Sequence, residues 1–549
     1  MTVRMRLAVA GMTCESCNRH VAGALRVAGA ADVEADWRRG EATLTVDDGA
    51  DLDRMAAAVR DAGYTPGEVT RLDPVSPDRD GGGSDVDYDL LVLGGGSAAF
   101  AAAITARDAG RAVALVESGV LGGTCVNVGC VPSKALLAAG EAAWQAARHR
   151  FDGVPHATGP VDVAALVAAK DELVGQLRQA KYADLVDAYG FEVIAGRGRF
   201  VDPATVEVAG RRIRAGAFLI ATGASPAAPP VPGLAEAGYL TSTTALELKE
   251  TPRRLAVLGA NAVGLELGQY FLHLGAEVSF VEVADRIAPF EEPEVSAALA
   301  EVLVEQGARV LTGARVRTVA RRGEVRVLDV EVDGETVEVA AEELLVATGR
   351  SPNTAGLGLA AAGVAVDERG AVAVDAGLRT SNPRVWAAGD VTGAAQLVYV
   401  SAYHGALAAG NALLGADRRV DYTGLPRVIF TAPQVAGAGL TEAQARAAGH
   451  EVKVAVLPAS EVPRALVARE THGLVKLVAD ADSDRLLGAS VLGAGAGDVI
   501  QSAVLAIRHG ITTAELAATF HPYLTMAEGL KLAALSFTRD VTTLSCCAA

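Results

Sequence analysis

Cysteine is scarce in this chain, six in 549 residues, and none of the six stands alone: Cys14 lies near Cys17, Cys125 near Cys130, and Cys546 beside Cys547. Cysteines that only fill a core scatter along a sequence, and secreted disulfide frameworks are denser and occupy much smaller domains. Close pairing leaves soft-metal and redox chemistry. Aromatic residues are also few, at 4%, so the apolar half of the composition is mostly Ala, Val and Leu, which still builds large cores. A basic excess is missing too. The formal charge of −17 offers no field to gather phosphate and argues against a nucleic-acid partner. No basic stub followed by an apolar run leads from Met1, so no secretory leader is expected. The longest uncharged stretch, Val391 to Ala416, carries Thr392, Gln396, Ser401, His404 and Asn411, which favours a buried helix over a membrane span. A cytoplasmic location is expected, where thiols stay reduced.

Residues 1–70 read as one small unit. Strand-like alternation over Val3–Val9, Val33–Asp36, Thr43–Val46 and Glu68–Thr70, with helical spacing over Ser16–Val27 and Leu52–Ala62, predicts a ferredoxin-like β-α-β-β-α-β sandwich. Residues 71–87 are expected to be a flexible linker, because Asp73 to Asp87 is proline, glycine and acid with almost nothing to bury. An internal repeat follows. The apolar strand Asp89–Leu93 runs into Gly94-Gly95-Gly96-Ser97-Ala98-Ala99, a helix and a second strand ending at Glu117. Arg254–Leu258 likewise runs into Gly259-Ala260-Asn261-Ala262-Val263-Gly264, a helix and Glu277–Glu282. Each opens a doubly wound α/β sheet, and two dinucleotide sites imply two cofactors, one passing electrons to the other. The expected divisions are 88–240 and 351–421 for the first dinucleotide domain, 241–350 for the second, and 422–549 for an α+β C-terminal domain.

In the first fingerprint Gly94 makes the tight turn, Gly96 admits a pyrophosphate, Ala99 allows close packing, and Glu117 is placed to accept from a ribose hydroxyl. In the second, Asn261 stands where a glycine is usual, and tolerance of positive φ is expected to preserve the turn. Glu282 would hold a free ribose 2′-hydroxyl and repel a 2′-phosphate, which leans toward NADH, although Arg286 lies nearby. The string Gly122-Gly123-Thr124-Cys125-Val126-Asn127-Val128-Gly129-Cys130-Val131-Pro132-Ser133-Lys134 is the most specific in the chain. Two thiols five apart can meet at the start of a helix, whose dipole also favours thiolate.

That string resembles the redox-active disulfide of the flavoprotein pyridine-nucleotide disulfide oxidoreductases. Ala347-Thr348-Gly349-Arg350 and Ala387-Ala388-Gly389-Asp390 resemble later strands of the same family. The resemblance implies an FAD domain, an NAD(P) domain and a C-terminal dimerisation domain. It implies that Asp390 meets the flavin ribityl chain, and that Gly123, Thr124, Ala221, Thr222, Gly223 and Gly349 belong to the cofactor sites. It further implies that Lys134 pairs with Glu266 beside the flavin, that Cys130 is the charge-transfer thiolate, and that Cys125 is the outward, interchange thiol.

Gly11-Met12-Thr13-Cys14-Glu15-Ser16-Cys17 resembles the loop of heavy-metal-associated domains. Two sulfurs with little else suit Hg(II) or Cu(I). The β-α-β-β-α-β order does not fit a thioredoxin-like dithiol, and a zinc finger needs four ligands. Cys546-Cys547 forms only a strained disulfide ring, so holding or passing a metal is a natural use. His521-Pro522-Tyr523 resembles the His-Pro of disulfide reductases, but Met526 stands where those carry glutamate, and Glu528 lies two places too late. Ala262 stands where many relatives have a tyrosine shielding the flavin. The run from Pro522 to Ala533 resembles the mercuric reductase family, in which the residue matching Tyr523 lies near the bound metal. This resemblance implies reduction of Hg(II) by NAD(P)H through FAD in a homodimer, with NADPH as the family's usual donor and no membrane insertion. Cys546 and Cys547 of one subunit would face Cys125 and Cys130 of the other. The rival readings are a dihydrolipoamide dehydrogenase-like or glutathione reductase-like enzyme, and a metal chaperone or buffer.

Overall fold

The computed structural model describes residues 2–12, 15–37, 40–47, 50–72, 86–157 and 159–543. Cys14, Cys546, Cys547 and the linker residues 73–85 lie outside the described residues. The chain divides into two compact units, Met1–Asp85 and Val86–Ala549.

The first unit is an antiparallel sheet of Ala31–Asp36, Glu41–Asp47, Thr2–Ala10 and Thr65–Leu72, in that spatial order, with helices Glu15–Val27 and Leu52–Asp61. Its core follows from the alternation. Leu7 and Val9 are buried while Arg6 and Ala8 are exposed, and the inner face meets Val21, Leu25 and Val59 from the helices. Asp51 caps the second helix by accepting from the Arg54 amide at 3.2 Å. The last strand begins at Thr65, three residues before the expected Glu68, and ends at Leu72, past the expected boundary at 70. Pro66-Gly67 reads as a turn in sequence, but this is an edge strand, where a missing N–H is tolerated. At the far side of the linker Asp87 is already part of the second unit: its amide donates to Arg214 O and its carboxylate accepts from Arg214 N.

In the second unit, five parallel strands run in the order Glu192–Ala195, Val113–Glu117, Tyr88–Leu93, Arg211–Ile220 and Val385–Ala387. Thr205–Val208 and Gly198–Asp202 extend Arg211–Ile220 in antiparallel fashion. Leu90 to Leu93 are all buried, as expected for a parallel strand covered on both faces. A second parallel sheet has the order Arg309–Leu311, Glu277–Val281, Arg254–Leu258, Glu343–Val346. The C-terminal sheet is antiparallel: Pro426–Ile429, Gln434–Gly439, Leu486–Gly493, Leu474–Asp480, Val452–Pro458. Helices Ala496–Arg508 and Glu528–Leu535 share its core.

The uncharged stretch forms the helix Val398–Leu414. It packs on helix Ser97–Asp108 so closely that a Cβ on Gly405 would stand 2.0 Å from Ala98 O. Among the described residues no helix is long and apolar enough to cross a membrane. The C-terminal sheet is tied to the second dinucleotide domain through Lys476. This side chain is 1% exposed, and its Nζ lies 2.9–3.0 Å from Glu292, Glu294 and Glu442. Glu292 Oε1 also accepts from the Glu442 amide at 2.7 Å.

Candidate functional site

Gly122 and Gly123 both have positive φ, +103° and +62°, and start the short helix Gly123–Val128 that carries Cys125. The chain breaks at Gly129, and Cys130 begins the long helix Cys130–Arg148. The thiols therefore flank a break between two helices rather than sharing one helical start. A Cβ on Gly123 would stand 2.7 Å from Gly96 Cα, so glycine lets the redox helix press on the first dinucleotide loop. Asn127 braces the turn, its Nδ2 donating to Leu121 O and Gly123 O at 2.9 Å. Cys125 and Cys130 are half-buried and free. The Cys130 thiol is lowered to about 7, first by a hydrogen bond from Cys125 and then by the Lys134 charge, against the opposing effect of burial. Cys125 moves upward, because it donates to Cys130 and is itself desolvated. The pair thus favours the negative charge on Cys130 and the proton on Cys125.

One turn beyond Cys130, Lys134 Nζ lies 2.7 Å from Glu266 Oε2. Glu266 is 5% exposed and sits on helix Ala262–His273 of the second dinucleotide domain. Its other oxygen accepts from the Phe430 amide at 2.9 Å, and the Lys134 ammonium stands 4.7 Å from the Phe430 ring centroid. Three domains converge here. Sequence reasoning missed Phe430, which carries no motif, and also Tyr182. The Tyr182 phenol is pushed up mainly by burial and also by the nearby Cys125 and Cys130 charges. Its ring packs edge-on to Phe100 at 4.8 Å.

In the first dinucleotide fold Gly94 has φ +124°, and a Cβ there would meet Ala221 O at 2.3 Å. Gly96 differs. Its backbone is extended, and an added Cβ would make only an ordinary 3.5 Å contact with Gly123 Cα. Among the described residues nothing requires glycine there, which fits close approach by a ligand. No side chain caps helix Ser97–Asp108, so its first amides remain available to a diphosphate. Ala99 is fully buried, and Glu117, ending its strand, accepts from the Gly119 amide at 2.6 Å. Thr222 donates to Asn353 O at 2.8 Å, and the Asn353 amide donates to Gly223 O at 2.9 Å. Asp390 lies 3.7 Å from Arg350, whose Nη2 also reaches Thr124 Oγ1 at 3.5 Å. Burial raises the Asp390 carboxyl above its ordinary value, against the Arg350 charge and the Ser401 hydroxyl. These features fit FAD.

In the second fold Gly259 has φ +97°, with a would-be Cβ 2.6 Å from Ala347 O, and a Cβ on Gly264 would meet Gly259 O at 1.9 Å. Asn261 corrects the expectation of positive φ: it has φ −109°, an ordinary extended conformation, so the turn makes no such demand. Gly349 has φ +129° with open space around it, and Ala262 is half-buried. Helix Ala262–His273 also lacks a side-chain cap, which fits a second diphosphate. Glu282 is 7% exposed; its oxygens accept from Ala260 N at 2.7 Å and Ala284 N at 2.9 Å. Arg286 is turned to Asp285 at 3.3 Å and Pro289 O at 2.9 Å.

At the C-terminal end, His521 Nδ1 lies 3.1 Å from Thr519 O, while Glu528 is buried and its Oε2 has no partner among the described residues. His521 and Glu528 are therefore not a pair. Met526 fills the space over Gly493. Phe520 is fully exposed, with Tyr523 and Leu524 about half so. In the first unit Cys17 is buried in the core on helix Glu15–Val27.

Family models match three parts of the chain: a heavy-metal-associated domain over residues 6–65, a pyridine nucleotide-disulphide oxidoreductase over 88–405, and its dimerisation domain over 425–534. A mercuric reductase of Staphylococcus aureus is 48% identical over 546 residues, covering 99% of both chains. The chain belongs to the mercuric reductase family. A mercuric reductase of Streptomyces lividans is 51% identical over 84% of this chain and 98% of its own. Among solved structures, the HOCl-induced flavoprotein disulfide reductase RclA from Escherichia coli superposes with a TM-score of 0.74 at 31% identity, covering 82% of this chain and all of that one. The family uses FAD and a pyridine nucleotide, and the chain carries its dimerisation domain.

Proposed function

We propose that the chain reduces thiol-bound Hg(II) to Hg(0) at the expense of NAD(P)H: Hg(II) + NAD(P)H → Hg(0) + NAD(P)+ + H+. The observation that carries this reading is full-length similarity to mercuric reductases in a chain whose cysteines are all paired. FAD, when bound, supplies the two-electron exchange between nicotinamide and the metal. Gly94, Gly96 and Glu117 would hold it, with Asp390 at the ribityl chain. The protein's own part is to keep sulfur where soft mercury needs it. Cys130 provides a thiolate near neutral pH, and Cys125 holds the exchangeable proton. Lys134, braced by Glu266, stabilises that negative charge. Cys14 and Cys17 collect the metal, and Cys546 and Cys547 of the partner subunit pass it to Cys125 and Cys130. Exposed Phe520, Tyr523 and Leu524 support a homodimer that covers this apolar surface, with Tyr523 beside the metal. A cytoplasmic location accords with three dithiols that work only when reduced. The rival disulfide-reductase reading lacks a His521–acid pair, since Glu528 is buried away from His521 contact. Comparing Hg(II) in excess small thiol with lipoamide and oxidised glutathione tests the reading: only mercury should drive rapid anaerobic NAD(P)H oxidation.

For the nucleotide, we infer a preference for NADH. Glu282 presents a buried carboxylate at the strand end, and Arg286 would have to break two hydrogen bonds to meet a 2′-phosphate. The expected discrimination is on the order of 1–3 kcal/mol, or about five- to 150-fold in kcat/KM. Glu282→Gln keeps an acceptor for the Ala260 amide while removing the charge, and should narrow the gap. A wild-type enzyme that prefers NADPH would contradict this assignment.

The first unit acts as a tethered carrier that raises local mercury concentration. Removing residues 1–85 should leave turnover nearly unchanged in excess small thiol and lower it when thiol is scarce. A truncated, FAD-loaded enzyme that is inactive even in excess thiol would show that the unit is part of the catalytic core.

A further inference from the structure

His404 is fully buried on helix Val398–Leu414, fourteen residues beyond Asp390. Its surroundings define its hydrogen bonding. The Gly389 amide donates to Nδ1 at 3.3 Å, so Nδ1 carries no proton, and Nε2–H donates to the Tyr422 hydroxyl at 2.6 Å. Burial pushes the imidazole down to about 4, which keeps it neutral and able to accept. Gly389 directly precedes Asp390 and has φ +78°; a Cβ there would stand 2.9 Å from Ser401 Oγ. The neighbouring Ala388 amide is taken by Ile220 O at 3.0 Å, and Thr392 donates to Gly389 O at 2.8 Å. For the Gly389 amide the imidazole supplies the acceptor. The helix that carries His404 is closely packed, with Gly405 against Ala98 of the diphosphate-facing helix.

We propose that His404 is a positioning residue for FAD: its Nδ1 fixes the Gly389–Asp390 turn so that the Asp390 carboxylate is aimed at the flavin side chain. This rests on the reading of Asp390 as the ribityl-facing acid. Tyr422 contributes by holding the tautomer. Without a partner at Nε2, the ring proton can move to Nδ1 and set donor against donor at Gly389.

The test follows FAD release from the holoenzyme by flavin fluorescence, together with the visible absorption envelope of the bound flavin. His404→Leu leaves a buried amide unpaired and should weaken FAD retention by about tenfold or more, with a changed envelope. His404→Asn places an amide oxygen where Nδ1 was and should restore retention to within about threefold of wild type. Equal defects in the Leu and Asn variants would reduce His404 to a packing role and overturn the proposal, as would wild-type behaviour in both. If the Leu variant does not fold, Tyr422→Phe decides: weaker FAD retention supports the proposal, and unchanged retention overturns it. Asp390→Asn separates the two readings. Unchanged FAD retention in that variant refutes the role given to Asp390, whereas a loss there with none in His404→Leu refutes the role of His404 alone.

Discussion

Alanine at Cys125 or Cys130 is expected to lower Hg(II)-dependent turnover by roughly a thousandfold or more while FAD stays bound. The residues that fit FAD, Gly94, Gly96, Glu117 and Asp390, belong to other segments of the fold, so removing one sulfur does not dismantle them. The two variants should differ in one respect. Cys130 is the thiolate and Cys125 the donor, so Cys130→Ala alone should abolish the long-wavelength thiolate-to-flavin absorption of the reduced enzyme. In wild type that band should fade as pH falls through about 7, where the Cys130 thiolate takes up a proton. Loss of the band in Cys125→Ala with retention in Cys130→Ala would reverse the two roles.

Methionine at Lys476 should produce the largest loss of stability. Lys476 is 1% exposed and Glu292 2%, so the variant leaves a buried carboxylate with the Glu442 amide as its remaining hydrogen-bond donor. Breaking a buried ion pair on one side costs about 3–5 kcal/mol, far more than an exposed pair is worth. The thermal midpoint should drop clearly, and Glu292→Gln in the same chain should recover part of the loss by removing the orphaned charge. A midpoint within experimental scatter of wild type would show that water or rearrangement relieves Glu292. Because the cluster joins the second dinucleotide domain to the C-terminal sheet, the loss should be accompanied by a raised KM for the nicotinamide nucleotide.

Much of this architecture was legible because local pattern and burial agree. Leu7 and Val9 alternate with exposed residues, and Leu90 to Leu93 form an apolar run between two covering layers. The dinucleotide turns were legible because Gly94, Gly259 and Gly264 occupy places where a Cβ would strike backbone. What escaped depends on contacts distant in sequence. Phe430 meets Glu266 across 164 residues, and Lys476 meets Glu292 across 184. A lysine in the apolar strand Leu474–Asp480 was a signal, but it does not name its partners. Pro66-Gly67 masked the start of an edge strand, and Asn261 needed no special backbone at all. The break at Gly129 was hidden because short-range spacing cannot distinguish one helix from two.

The central claim is that electrons from the nicotinamide nucleotide end on mercury. The most direct measurement traps elemental mercury vapour under anaerobic conditions while NAD(P)H consumption is followed in the same vessel, with Hg(II) supplied in excess small thiol. The account predicts one Hg(0) released for each NAD(P)H oxidised, and none from the Cys125→Ala or Cys130→Ala enzyme. NAD(P)H oxidation without mercury vapour, or vapour release undiminished in those variants, would contradict it.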